Sequence, residues 1–153
     1  MASATPGRRE DSLQRATDQD ADAVAQLLTA LGYPCTKQDA LGRLAMLRDE
    51  PDQELWLAHR DGEAAGLLAL QFLYYLPLGA RTCRITALAV AEPARRGGIG
   101  KMLLLGAEAR ARQHGAVRIE LTSAAHRTEA HAFYRACGYD DGALRFMKRL
   151  GDA

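Results

Sequence analysis

A short glycine-rich loop with basic residues at both ends has the residue types in this sequence best suited to binding a ligand. It runs from Arg95 to Lys101 and follows an apolar, strand-like run that ends at Val90. Its glycines carry no Cβ atoms that would keep a ligand away from the backbone. A helical pattern begins inside the loop, so the positive end of a helix dipole would face the same ligand. Together with the charges of Arg95, Arg96 and Lys101, these features predict a site for a phosphorylated anion.

Two common nucleotide-binding loops are excluded by the residues of this segment. A P-loop is excluded because Met102 stands where a magnesium-binding hydroxyl is needed and Arg95 stands where the first glycine belongs. A dinucleotide fingerprint is excluded because Leu103 replaces its third glycine and because two helical patterns come earlier in the chain. The pattern that remains is R-x-x-G-x-G, formed by Arg95, Gly98 and Gly100.

The composition is that of an ordinary globular protein. With 153 residues, 48% hydrophobic and 25% charged, the chain is expected to form one domain with a sizeable core. A net charge of +1 argues against nucleic acid or an anionic membrane as a partner. The sequence has no apolar run of transmembrane length and no secretory start, so we expect a cytoplasmic protein.

The cysteines and histidines predict neither a disulfide framework nor a metal site. Cys35, Cys83 and Cys137 are odd in number and far apart, which favours reduced thiols. The histidines lack the spacing of zinc ligands, so no metal site is expected, and whether a divalent metal assists substrate binding is not readable from the sequence. Cys83 and Cys137 also have no His or acidic partner at a useful spacing, which argues against a covalent intermediate on a cysteine.

The hydrophobic periodicity predicts the elements that must position the loop. Residues 1–13 are expected to be a disordered tail and residues 14–153 a single domain. Helices are predicted from Thr17, paired with Asp20, and from Thr36 to just before Pro51. The later pattern gives strands over 54–59, 63–75, 82–90 and 116–122, a tight turn at 61–62, helices over 99–114 and 128–137, and a last strand over 144–150. This order predicts an α+β or α/β fold with a mixed, mainly antiparallel sheet.

Two parts of the sequence resemble the GNAT family of N-acetyltransferases. The R-x-x-G-x-G pattern, between a strand ending Leu-Ala-Val and a helix, is similar to the loop that binds the pyrophosphate of acetyl-CoA in that family. The run Ala130–Tyr134, followed by Gly138 and Tyr139, resembles the signature of the family's final helix. The order of elements matches the family's fold from about residue 14 to residue 150. The resemblance implies a sheet with a splayed strand pair, flanked by helices, and acetyl-CoA as the cofactor.

The resemblance gives each matching residue an expected role. Backbone groups at the end of the strand would pair with the pantetheine arm, and an N–H of Leu88 or Ala89 would stabilise the oxyanion. The Tyr134 hydroxyl is expected near the cofactor sulfur, where a phenol of pKa ~10 can protonate the departing thiolate. A purely structural role, packing beside Phe133, is the alternative for Tyr134. The residues expected to contact the cofactor are Leu88, Ala89, Val90, Arg95, Arg96, Gly97, Gly98, Ile99, Gly100, Lys101 and Tyr134.

The residue that removes a proton from the acceptor amine is a separate question. An alkylamine with a pKa of ~10 is neutral in only about one molecule per thousand at neutral pH, so a general base would help. Family members often place a Glu late in the fourth strand, but these positions read Thr86 and Ala87 here. Glu120 on the next strand is a candidate base, and His126 is another.

A closer resemblance concerns the acceptor. The stretch from Glu120 to Ser123, with Arg127 and the final helix, resembles the aminoalkylphosphonate N-acetyltransferase branch of the family. This implies direct transfer of an acetyl group to the primary amine of a small molecule. Arg127 stands where many family members carry Asn, so an Asn contact to the cofactor is not expected. A pocket that would suit an anionic amine is expected from Tyr74, Tyr75, Arg81 and Arg84.

Two other functions stay open from the sequence. A protein or peptide N-acetyltransferase would have an acidic or open groove for its acceptor. A non-catalytic CoA-binding module would bind the cofactor without transferring the acetyl group. The oligomeric state is not readable, although dimers are frequent among the proteins that this chain resembles, so a homodimer is left open.

Overall fold

The computed structural model of the protein describes residues 10–95 and 97–151. The strands are β1 (Asp11–Arg15), β2 (Gln53–Arg60), β3 (Glu63–Tyr75), β4 (Ala80–Val90) and β5 (Ala116–Leu121). The helices are α1 (Ala21–Leu31), α2 (Lys37–Arg48), α3 (Ile99–Gln113) and α4 (Thr128–Ala136). From β2 to α4, the predicted helices and strands are confirmed, and their ends agree to within two residues.

The strands form a sheet in the order β1-β2-β3-β4-β5. The neighbours β1 and β2, β2 and β3, and β3 and β4 are antiparallel. β4 and β5 form the parallel pair, which α3 connects as the crossover helix. The predicted mixed, mainly antiparallel sheet is therefore confirmed.

Local sequence accounts for the β2–β3 hairpin and for the start of α2. Asp61 and Gly62 both have positive φ, at 53° and 82°, as a two-residue turn between twisted strands requires. At the start of α2, the Thr36 hydroxyl accepts from the Asp39 N–H at 3.0 Å, and the Asp39 carboxylate accepts from the Thr36 N–H at 3.0 Å. Both predictions are confirmed.

The first helix begins later than the sequence predicts. α1 starts at Ala21, because a short 3-10 turn over Asp18–Asp20 comes first. The Asp20 carboxylate accepts from the Thr17 N–H at 2.8 Å, so the predicted pair does form. It closes this tight turn, and the α-helix follows it.

Strand β1 corrects the predicted end of the N-terminal tail, which was placed at residue 13. Asp11 already pairs with Arg60 of β2, and the ladder continues to Arg15. β1 lies at the edge of the sheet and only Leu13 is partly buried in it. Such a strand lacks the alternation of apolar and polar residues that identifies strands in a sequence. Residues 1–9 lie outside the described part of the chain.

The last strand predicted over 144–150 is wrong. Residues 139–150 lie in no helix or strand, although Leu144, Phe146 and Leu150 fall at even spacing. Even spacing expresses a preference for extended backbone, whereas a strand also needs a neighbouring strand for its hydrogen bonds. The spacing by itself therefore does not predict a strand.

Helices α1, α2 and α3 pack on the two faces of the sheet. Val24 of α1 and Leu44 of α2 are buried in one cluster with Leu67 of β3. The adjacent residue of β3, Gly66, faces Ile99 of α3. Because successive residues of a strand point to opposite faces, α3 covers the face opposite to α1 and α2.

The chain divides into two compact units, with the boundary after Glu120. In the second unit, α4 ends as predicted, with Gly138 in the left-handed region at φ 91°. The Gly138 N–H donates to the Arg135 carbonyl and the Tyr139 N–H to the Tyr134 carbonyl, both at 3.0 Å. The single domain over 14–153 stays a prediction. No helix in the described part of the chain is long and apolar enough to cross a membrane.

Candidate active site

A β-bulge interrupts β4 just before the segment predicted to hold the cofactor. Ile85 pairs with Leu70 and Ala87 pairs with Ala69, which leaves Thr86 as an extra residue in β4. A bulge bends its strand and increases the local twist, and bulges are frequent beside active sites. The course of the strand after Ala87 is therefore set by its pairing with β3.

The strand end predicted to contact the cofactor stays paired with β3 after the bulge. Leu88, Ala89 and Val90 all have partners in β3. Ala89 is buried, whereas Leu88 and Val90 are half-buried. Backbone groups of successive strand residues point to opposite neighbours, so part of this segment's N–H and C=O groups point away from β3. The pairing of these groups with a pantetheine arm stays a prediction.

The loop between β4 and α3 is a series of tight turns. Glu92–Ala94 forms a 3-10 turn, and the Gly97 N–H donates to the Ala94 carbonyl at 3.3 Å. Gly98 is the N-cap of α3, with φ at +90°, a conformation that favours glycine. The Met102 N–H donates to the Gly98 carbonyl at 3.0 Å. The N–H groups of the first helical turn before Met102 have no partner inside the helix, as an anion site at a helix N-terminus requires.

Two of the predicted loop cations, Arg95 and Lys101, have exposed side chains. Arg95 folds back toward the strand, with its Nε 3.4 Å from the Val90 carbonyl oxygen. Lys101 lies in the first turn of α3. Arg96 lies outside the described residues. Positive charge is thus present at both ends of the glycine-rich segment.

The start of α3 approaches the sheet closely because β3 has a glycine there. A Cβ on Gly66 would lie 2.9 Å from the Ile99 Cγ2, 3.0 Å from the Leu103 Cδ1 and 3.1 Å from the Ala89 carbonyl oxygen. The first distance is shorter than real Cβ contacts and the other two are tighter than most, so a larger residue would push α3 away from β3. Gly66 therefore fixes where the first turn of α3 lies relative to the end of β4.

Arg60 also contacts the loop, a contact that the sequence does not predict. Its Nη2 donates to the Gly97 carbonyl at 2.7 Å. The two residues are 37 positions apart in the chain. An arginine at the end of a strand gives no sequence signal for such a contact.

Tyr134, the predicted acid, lies on α4 in the second unit and is half-buried. Its ring lies beside those of Phe133 and Tyr139, with centroids 5.5 Å and 6.2 Å away. Burial raises the pKa of the Tyr134 hydroxyl above its usual value, and the charge of Arg127 opposes this effect. The hydroxyl is therefore protonated at neutral pH, as an acid must be. Its catalytic role stays a prediction.

Glu120, the first candidate base, belongs to a charged cluster on β3, β4 and β5. Its Oε1 accepts from the Nε and Nη2 of Arg84 at 2.9 Å and 2.7 Å, and its Oε2 lies 3.4 Å from Arg118 Nη2. The Arg118 guanidinium lies over the Tyr75 ring, 4.5 Å from the centroid. Tyr75 and Arg84, both predicted to line the acceptor pocket, are thus brought into one cluster. Its two guanidiniums and one carboxylate leave a net positive charge.

The other predicted acceptor and base residues belong to β3, to β4 and to the second unit. Arg81 pairs with Asp52 at 2.6 Å, which neutralises its charge. Tyr74 is exposed near the end of β3. His126 lies in an exposed turn before α4.

Cys83 is unsuited to act as a nucleophile. It is fully buried, and burial together with the negative charge of Glu54 raises the pKa of its thiol to about 11. It is therefore a neutral thiol at physiological pH. Among residues 10–95 and 97–151, no group of three or more His, Cys, Asp or Glu side chains is arranged to hold a metal ion.

Comparison with known proteins places this chain in a family. Residues 21–139 match the sequence profile of the Acetyltransferase (GNAT) family. The chain is 36% identical, over 153 aligned residues, to the aminoalkylphosphonate N-acetyltransferase of Salmonella typhimurium. That alignment covers 94% of this chain and 97% of the Salmonella protein. The chain therefore belongs to the GNAT family, and it is an N-acetyltransferase.

Solved structures agree with this fold at low sequence identity. A transcriptional regulator from Bacillus halodurans has a TM-score of 0.85 at 23% identity, covering 92% of this chain and 100% of that protein. An aminoglycoside N-acetyltransferase in complex with CoA has a TM-score of 0.82 at 14% identity, covering 97% and 99%. These likenesses confirm the predicted fold. They do not determine the acceptor, since one neighbour is a transcriptional regulator and the other an aminoglycoside N-acetyltransferase.

Proposed function

We propose that this protein transfers the acetyl group of acetyl-CoA directly to the primary amine of a small anionic molecule, such as an aminoalkylphosphonate. The observation that carries the proposal is the 36% identity to the Salmonella aminoalkylphosphonate N-acetyltransferase along nearly the whole chain. The positive charge of the Arg84–Arg118 cluster supports an anionic acceptor.

The cofactor part of the proposal is supported by the loop. The first-turn N–H groups of α3 and the side chains of Arg95 and Lys101 offer donors and positive charge to a pyrophosphate. Members of the GNAT family use acetyl-CoA, and one structural neighbour contains CoA. The residues that would hold acetyl-CoA are Leu88–Val90 at the strand end, Arg95–Lys101 in the loop, and Tyr134. When bound, acetyl-CoA would supply the acetyl group as a thioester.

The chain's own residues would then stabilise and move charge. A backbone N–H of Leu88 or Ala89 would donate to the oxyanion that forms when the amine attacks the thioester carbonyl. Tyr134, whose pKa is raised by burial, would give its proton to the leaving thiolate sulfur, and the proton that the nitrogen loses as the amide forms would restore the Tyr134 phenol. The amine attacks without a cysteine intermediate, in agreement with the buried, neutral thiol of Cys83.

The proton of the acceptor ammonium needs a route to a base. Glu120 is the proposed base because it lies in the charged cluster that is proposed to hold the acceptor. Both carboxylate oxygens of Glu120 already face guanidiniums. Transfer of the ammonium proton to Glu120, directly or through a water, would therefore take place only in the complex with bound acceptor. His126 is the second proposed base. Comparing kcat in Glu120→Gln and His126→Gln decides between them, because only the loss of the true base should lower kcat strongly.

The acceptor proposal is tested with a panel of amines, by measuring the free thiol of CoA that is released. Aminoethylphosphonate and similar anionic amines are expected to be better substrates than neutral amines of the same length. Faster thiol release with peptides would instead favour a protein N-acetyltransferase. CoA binding without thiol release from any amine would favour a non-catalytic binding module.

A further inference from the structure

One arginine connects the N-terminal strand with the glycine-rich loop. Arg60 is the last residue of β2, and its side chain is only 14% exposed. Its Nε and Nη2 donate to the two carboxylate oxygens of Asp11 at 2.8 Å and 2.9 Å. The same Nη2 donates to the Gly97 carbonyl at 2.7 Å. A single guanidinium therefore holds β1, β2 and the loop together.

The bond to Gly97 determines how one peptide group of the loop is turned. In a trans peptide, the C=O of one residue and the N–H of the next point in opposite directions. Since the Gly97 carbonyl faces Arg60, the Gly98 N–H points to the other side, at the N-cap of α3. The Gly97 N–H is also occupied, because it donates to the Ala94 carbonyl at 3.3 Å. Both the N–H and the C=O of Gly97 are thus held by hydrogen bonds.

A loop this rich in glycine needs such a restraint. Glycine populates both signs of φ with little difference in energy, so a peptide between two glycines is free to rotate unless something holds it. After such a rotation the Gly97 carbonyl oxygen would lie where an anion requires a donor. The loop would then repel a phosphate instead of binding it.

We propose that Arg60, oriented by Asp11, is a positioning residue for cofactor binding. It holds the Gly97 carbonyl away from the pyrophosphate and keeps the Gly98 N–H turned toward it. This proposal rests on the proposed function, because it requires the loop to bind CoA.

The arrangement requires arginine and not only a positive charge. The planar guanidinium donates two parallel hydrogen bonds to Asp11 and a third to the Gly97 carbonyl, with fixed directions. The ammonium of a lysine is a point charge without this fork. Replacing Arg60 by lysine therefore keeps the charge but loses the alignment.

The experiment measures the dissociation constant of CoA by titration calorimetry, together with the steady-state kinetics of acetyl transfer. The variants are Arg60→Met, Arg60→Lys and Asp11→Asn, with Arg48→Met as the matched control. Arg48 forms an ion pair with Asp18 at 2.5 Å, so its replacement removes an Arg–Asp pair without touching the loop. Thermal melting shows whether each variant is folded.

For Arg60→Met we expect the dissociation constant of CoA and the KM for acetyl-CoA to rise roughly tenfold, the effect of one lost charge-assisted hydrogen bond. The kcat at saturating acetyl-CoA and the KM for the amine should stay unchanged, because Arg60 is not proposed to touch the reacting atoms. Arg60→Lys should bind CoA about as weakly as Arg60→Met. Asp11→Asn should show a smaller loss of CoA affinity. Arg48→Met should bind CoA like the wild type.

Several outcomes would overturn the positioning role. Wild-type affinity in folded Arg60→Met would do so, and so would full affinity in Arg60→Lys, which would show that charge alone matters. If Arg60→Met does not fold, the lysine and Asp11→Asn variants decide, and wild-type affinity in both overturns the role. If the wild-type protein itself fails to bind CoA, the proposed function falls and this inference falls with it.

Discussion

The proposed chemistry depends on single side chains whose surroundings set their charge. Tyr134 keeps its proton because burial disfavours the phenolate, whereas the Arg84–Arg118 cluster keeps excess positive charge because Glu120 balances only one of its guanidiniums. The first property suits a proton donor and the second suits an anionic acceptor. Each can be removed by one substitution that leaves the size of the side chain nearly unchanged.

Replacing Tyr134 by Phe should lower kcat by about a hundredfold, because positioned acids contribute on the order of 10²–10⁴ in rate. The KM for acetyl-CoA should change little, since only the proton donor is removed. The alkaline limb of the wild-type pH profile, which lies above the usual tyrosine pKa, should also disappear. Steady-state kinetics with thiol detection tests this. Tyr33→Phe, in which an exposed ring loses the same hydroxyl, is the matched control, and equal rates in both variants would rule out the acid role.

Replacing Arg118 by Met should raise the KM for an anionic amine by about tenfold, because one guanidinium contact to the anion is lost. The KM for a neutral amine should stay near its wild-type value. Arg112→Met, which removes an exposed arginine from the last turn of α3, serves as the control. If the KM rises equally for anionic and neutral amines in Arg118→Met, the charged cluster does not recognise the acceptor.

At the level of elements, the site depends on how closely α3 lies against the sheet. The position of the glycine-rich loop follows from the start of α3, the end of β4 and the contact of Arg60 with Gly97. Gly66 permits the close approach of Ile99 and Leu103, and the neighbouring backbone of Ala89 belongs to the strand end. A substitution in β3 is therefore expected to change CoA binding although the substituted residue is not proposed to contact the cofactor.

Gly66→Ala should destabilise the protein by about 1–3 kcal/mol, the usual cost of adding volume to a packed core. It should also weaken CoA binding, since the first turn of α3 must move away from β3. Gly42→Ala is the control, because a Cβ there meets no atom within 4 Å. That variant should be stabilised by about 0.5–1 kcal/mol, as alanine is favoured inside a helix. Chemical denaturation and CoA titration of both variants measure these effects, and unchanged CoA affinity in Gly66→Ala would contradict the coupling.

At the level of the whole molecule, the buried carboxylate of one β2 residue forms ion pairs with arginines of β1 and α3. Glu54 of β2 is only 4% exposed, and it accepts from Arg110 Nε at 2.8 Å and from Trp56 Nε1 at 3.0 Å. His114 Nε2 lies 3.1 Å away, and its ring stacks on Phe72. Burial alone would raise the pKa of Glu54, but the hydrogen bonds and nearby positive charges outweigh it and lower the pKa to about 2.

This lowered pKa predicts acid sensitivity. The folded value of about 2 lies below the ordinary value of 4.5, so the stabilisation is present above pH 4.5 and is lost as the pH falls from there toward 2. The loss from Glu54 should reach at most about 3 kcal/mol. Glu54→Gln should already be destabilised by about 3 kcal/mol at neutral pH, because it leaves the Arg110 charge unpaired.

Denaturant unfolding between pH 6 and pH 2 measures this dependence. Glu54→Gln should show a shallower fall in the free energy of unfolding across the window, whereas the exposed Glu63→Gln control should follow the wild type. Parallel curves for Glu54→Gln and the wild type would show that Glu54 does not cause the acid sensitivity.

Much of the fold and part of the site were predictable from the sequence, because their causes lie within a few residues. The Asp61-Gly62 turn, the Thr36 cap, the Gly138 helix end and the strand-loop-helix around Gly98 each depend on local backbone preferences. The family resemblance also rests on such a local pattern. The edge strand β1 and the absence of a last strand were not predictable, because strands depend on partners elsewhere in the chain.

The glycine-rich loop, its cations and the helix that follows it were therefore determined by the sequence itself, since glycine freedom and helix periodicity are local properties. Tertiary structure alone decided what surrounds that loop. The Thr86 bulge follows from pairing with β3, the Arg60 contact spans 37 residues and the Glu54–Arg110 pair spans 56 residues. Contacts between residues so far apart have no local signature, because only the folded sheet brings them together.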